Sequence, residues 1–115
     1  MPRFLALFTA DQLTPPTPEH IERMGKYMEE QARAGRLIAT GGLKQRTRDG
    51  LTVRRKGDSY NVEEGGAPWA AATGYAILEA PSREALIADV KDFLALAGEG
   101  VSEIIEISEA GPPPQ

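Results

Sequence analysis

An α+β sandwich, with two helices laid on one face of an antiparallel sheet, is the fold class that this 115-residue sequence predicts. Three observations lead there. The first is the stretch Thr73-Gly74-Tyr75-Ala76-Ile77-Leu78-Glu79-Ala80, a strand that is apolar on both sides. Tyr75, Ile77 and Glu79 point one way and Ala76, Leu78 and Ala80 the other, as the two-residue period of a strand requires. A strand apolar on both faces belongs in the middle of a covered sheet. The second is that residues 3–8 share this character, with Phe4, Ala6 and Phe8 on one face and Leu5 and Leu7 on the other. The third is the order of elements, β-α-β, a small hairpin, then β-α-β. Right-handed crossovers then place both helices on the same side of one sheet, as in a ferredoxin-like sandwich.

Taken in order, residues 3–8 form the first strand. Residues 9–18 form a loop, because Pro15, Pro16 and Pro18 break regular structure. Thr17 caps the first helix, Pro18 takes its first position, and Glu19 complements its positive end. Ile21, Met24, Met28, Gln31 and Ala32 recur at helical spacing, with Tyr27 at the border of the stripe, and Gly35 closes the helix. Residues 36–42 form a second strand stopped by Gly41-Gly42. Residues 51–56 and 59–63 flank the turn pair Gly57-Asp58 and form the hairpin. An irregular stretch around Trp69 leads into the central strand. Ser82 caps the second helix; Leu86, Ile87, Val90, Phe93, Leu94 and Ala97 line its inner face, and Gly98 ends it. Residues 101–107 form the last strand. One domain therefore spans residues 1–108, and 109–115 are a flexible proline-rich tail.

Two helices cover one face of the sheet only. Leu5, Leu7, Tyr75 and Ile77 then leave an apolar patch larger than a monomer usually exposes. A second copy of the same sheet is the simplest cover, so the sequence predicts a homodimer packed face to face, a dimeric α+β barrel. The alternative is a second face that tolerates water.

Composition narrows the function classes. With 17 acidic against 13 basic residues the net charge is −4, which argues against nucleic acid as a partner. Cysteine is absent, so disulfides and thiolate chemistry are excluded. One histidine and no cysteine make a transition-metal site improbable, and no cofactor is implied. No apolar run approaches the length of a membrane span, and no secretory leader is visible, so a cytoplasmic location is expected. The paired glycines at 41–42 and 65–66 do not follow the pattern of a phosphate loop.

The candidate site residues are few. Six of the thirteen basic residues lie between Lys44 and Lys56. Arg46 and Arg48 among them are candidates to hold a small organic acid, although basic residues on an edge hairpin also deter strand pairing. Trp69, the sole tryptophan, and Tyr75 are candidate pocket walls. Glu64 is a candidate general base and His20 a candidate acid or base, each more commonly a solvated surface residue.

The chain resembles the YCII-related family, and within it the DGPF-domain proteins. The resemblance runs from Arg3 to Ile107. It is carried by the first strand, by Ala34-Gly35-Arg36-Leu37 followed by Gly41-Gly42-Leu43, by Val62-Glu63-Glu64-Gly65, and by Gly74-Tyr75-Ala76-Ile77-Leu78-Glu79-Ala80 with Ser82-Arg83-Glu84-Ala85. The family's signature is altered: Glu64-Gly65 stands where Asp-Gly would, and Pro68-Trp69 is a displaced echo of Pro-Phe. Many members carry a histidine on the first helix where this chain reads Met24-Gly25-Lys26, and His20 lies a turn or more earlier. The resemblance implies the same sandwich and dimeric barrel. It leads to a homodimer with a cleft for a small, anionic organic ligand. The alternatives are a cofactor-independent isomerase or oxygenase of the dimeric-barrel type, with Glu64 as base and Trp69 as wall, and an interaction module without a pocket.

Overall fold

In the computed structural model, which describes residues 1–11, 16–44, 49–65 and 72–108, the chain runs β1 (Arg3–Ala10), α1 (Pro18–Arg33), β2 (Leu37–Gly42), β3 (Leu51–Lys56), β4 (Ser59–Glu64), β5 (Gly74–Glu79), α2 (Arg83–Ala97) and β6 (Gly100–Glu106). Four strands make one sheet in the order β2-β5-β1-β6, and β3 and β4 make a separate two-stranded sheet. Neighbouring strands are antiparallel throughout. Two helices with a central β1–β5 pair are what the sequence predicts, and the connectivity is compatible with a ferredoxin-like α+β fold.

Local signals set the helix ends. The Thr17 hydroxyl accepts a hydrogen bond from the His20 amide at 3.1 Å, and the Ser82 hydroxyl accepts one from the Ala85 amide at 3.1 Å. Each satisfies an amide that the first helical turn leaves without a partner. After α1 the chain turns through Gly35 at φ +78°, a conformation that costs a side-chain-bearing residue about 1–2 kcal/mol. β1 is two residues longer than expected. Thr9 and Ala10 extend it because β6 supplies partners for them in Val101 and Gly100. A ladder partner, rather than side-chain hydrophobicity, decides where that strand ends.

Register sorts the side chains onto two faces, since residues directly opposite one another share a face. Phe4 lies opposite Leu78, Ala6 opposite Ala76 and Ile104, and Phe8 opposite Gly74 and Ser102. This face meets the helices. Ala80, Leu86 and Val90 are buried there, packed by Phe4, Leu78, Ala85, Leu94 and Ile104. The other face carries two rows that cross all four strands: Ala39-Ile77-Leu5-Ile105 and Gly41-Tyr75-Leu7-Glu103. No described element covers it, and Ile105 is 69% exposed. Beside these rows Arg3 and Glu79 form an ion pair at 2.8 Å.

Helices α1 and α2 differ in how they seat. α2 buries Leu86 and Val90, but α1 buries no residue at all. Its stripe points at the sheet without closing on it, and Ile21, expected inside, is 58% exposed. The hairpin β3–β4 scarcely touches the main sheet.

Candidate functional site

The gap left by α1 is a pocket. It has a volume of about 440 Å³ and lies between α1, α2 and the helix-facing side of the sheet. Its origin is visible in the residues of the floor. At one end of that face, Phe4, Leu78 and Ile104 fill the space under α2. At the other end the floor is Ala6, Gly74 and Ala76, which carry at most a methyl group and cannot reach α1. Met24 and Met28 form the α1 wall and Val90 and Phe93 the α2 wall. Phe8 rises from β1 and meets Phe93 edge to face, with ring centroids 5.3 Å apart, a geometry that aromatic quadrupoles favour.

Polar groups stand around this apolar interior. The Tyr27 hydroxyl donates to the Asp89 carbonyl at 3.1 Å, tying α1 to α2. Arg36, just before β2, donates to the Asp89 carboxylate at 2.8 Å. The three residues form a polar bridge across the two helices and the β2 edge. Burial, reinforced by the charges of Asp89 and Asp92, raises the Tyr27 pKa above its ordinary value of 10.0, so the phenol is a hydrogen-bond donor at neutral pH. His20 and Gln31 on α1 and Thr40 on β2 also line the pocket. The Thr40 hydroxyl donates to the Tyr75 carbonyl at 2.8 Å. No Lys or Arg is among the described residues of the lining. An apolar body with one hydrogen-bonding end suits such a cavity.

The residues singled out from sequence fare differently. His20 lines the pocket, half-buried in the first turn of α1. Tyr75 also belongs to the lining, but its register places its side chain on the open face beside Leu7 and Gly41. A Cβ added to Gly41 would lie 2.8 Å from the Tyr75 ring, so the absence of a side chain there is what admits the ring. Glu64, at the exposed end of β4, is not part of the lining. Arg46, Arg48 and Trp69 lie outside the described residues. Sequence reasoning missed Tyr27, Thr40 and Asp89 as pocket residues and read Met24 and Met28 as core. The one local signal was Gly74 and Ala76 alternating on the central strand; that they meet Ala6 beneath Met24 and Met28 depends on strand pairing.

No protein-family model matches the chain, and no curated protein matches it. Among the described residues, no helix is long and apolar enough to cross a membrane.

Proposed function

We propose that the protein is a homodimer of the YCII-related type that binds a small organic molecule in the pocket between α1, α2 and the sheet. The pocket itself carries this reading: about 440 Å³ falls within the roughly 300–1,000 Å³ typical of small-molecule sites, and its lining combines an apolar floor with Tyr27, His20 and Thr40 at its edge. The ligand has an aromatic or aliphatic body set against Met24, Met28 and Phe93. Its polar end is an acid group, for which Arg46 and Arg48 are the expectation from sequence, with His20 and Tyr27 as neighbouring hydrogen-bonding groups. Two copies close on each other through the open sheet face. The exposed apolar residues of that face, Ile105 among them at 69%, support a missing partner.

A thermal-shift panel of small aromatic and aliphatic acids, each paired with its amide, tests the ligand. An acid at one hundred times its dissociation constant stabilises the protein by about 2.7 kcal/mol, with its amide weaker. A panel in which no compound moves the midpoint refutes the ligand reading. Sedimentation equilibrium tests the dimer separately, because a particle of 12.4 kDa at micromolar concentration removes it.

A further inference from the structure

We infer that the β3–β4 hairpin is an intersubunit arm, whose apolar face packs on the open sheet face of a second copy of this chain. The inference rests on the dimer proposed above and names the surface that completes it. Its basis is the hairpin register. Leu51 lies opposite Glu64, Val53 opposite Val62, and Arg55 opposite Tyr60. Leu51, Val53, Val62 and Tyr60 thus share one face, with Glu64 at one end and Arg55 at the other, while Thr52, Arg54, Asn61 and Glu63 share the opposite face. The four apolar residues are between 62% and 68% exposed, and the other described elements offer them almost no contact. A two-stranded ribbon is marginal in water by itself, and one with an uncovered apolar face needs a surface to lie on.

Area argues that a second copy is that surface. Four strands of six residues present a footprint of about 19 by 20 Å, close to 400 Å². A stable interface buries about 800 Å² per partner, so the sheet face alone falls short. The arm adds about 200 Å² of footprint, and accessible area exceeds flat footprint on a pleated surface.

Position on the partner follows from what each flank of the open face provides. The β2 flank offers Ala39 and Gly41, with little to pack against. The β6 flank offers Val101 and Ile105, 54% and 69% exposed, with Glu103 between them. On the arm, Arg55 shares the apolar face directly opposite Tyr60, its Nε donating to the Gly57 carbonyl at 2.7 Å. Arg55 at the turn end of the arm face is opposite in sign to Glu103 on the β6 flank, and complementary charges set register and partner choice. The arm of each copy therefore covers the β6 flank of the other, with Arg55 facing Glu103 of the second copy.

The test compares wild-type protein with the Val53→Lys, Val62→Lys double variant by sedimentation equilibrium, with far-UV circular dichroism as the check on folding. The variant dimer dissociates at least tenfold more readily, because two apolar contacts are replaced by charges. A dimeric wild type with a variant constant within threefold of it overturns the arm and leaves the dimer standing. A monomeric wild type overturns both. If the variant does not fold, crosslinking decides. The chain has no cysteine, so Val62→Cys protein is mixed with tagged Ile105→Cys protein and treated with a short bismaleimide. A heterodimer of one chain of each kind supports the arm, and its absence at concentrations where the wild type is dimeric overturns it.

Discussion

Ala76→Leu separates a true cavity under α1 from a packed core. Ala76 is half-buried on the pocket floor, opposite Ala6 and Thr40. Leucine adds three carbons, each worth about 0.8 kcal/mol when moved from water into apolar surroundings, so the gross gain is about 2.4 kcal/mol. Fixing the new rotamer costs about 0.5–1 kcal/mol, which leaves about 1.5–2 kcal/mol of added stability. At about 4 °C per kcal/mol for a chain of this size, the melting midpoint rises by about 6–8 °C. Were the space already filled by Met24 and Met28, the same carbons would overpack it and lower stability by about 1–3 kcal/mol. The two cases differ in sign, so thermal and urea denaturation distinguish them readily. A midpoint that falls refutes the cavity. A midpoint that rises, together with loss of any stabilising acid found in the panel, shows that side chain and ligand compete for the same volume.

Two further outcomes follow from the polar bridge and from the Tyr75 ring. Tyr27→Phe loses the bond to the Asp89 carbonyl and with it about 0.5–1.5 kcal/mol, read by urea denaturation. Because the folded protein holds the Tyr27 proton more tightly than the unfolded chain, that contribution is intact below pH 10 and is lost as pH rises through the elevated folded pKa. Stability of the wild type therefore falls above pH 10 more steeply than that of Tyr27→Phe, and parallel profiles would contradict the assigned cause. Gly41→Ala forces the Tyr75 ring aside and costs about 0.5–1.5 kcal/mol, the cost of pushing a side chain off its rotamer. Combining it with Tyr75→Ala recovers part of that loss in a double-mutant cycle, and strict additivity would show that the ring does not need the space.

The sequence by itself determined the elements and much of their arrangement. Alternation in the segments around Phe4 and Ile77 marks strands with two apolar faces. Thr17, Ser82, Gly35 and Gly98 mark helix ends through local hydrogen bonding and backbone freedom. Gly57-Asp58 marks the hairpin turn. These features are legible because their causes act over two to four residues. Tertiary structure alone decided the site. The pocket exists because Ala6, Gly74 and Ala76, distant in sequence, meet beneath Met24 and Met28, and because Tyr27, Asp89 and Arg36 bridge three separate elements. Strand register likewise decided that Tyr75, Leu7 and Glu103 form one row and that four apolar hairpin residues share one face. A single sequence records which side chains are apolar, but an empty volume is a property of distances between them, and those are set only when the strands pair.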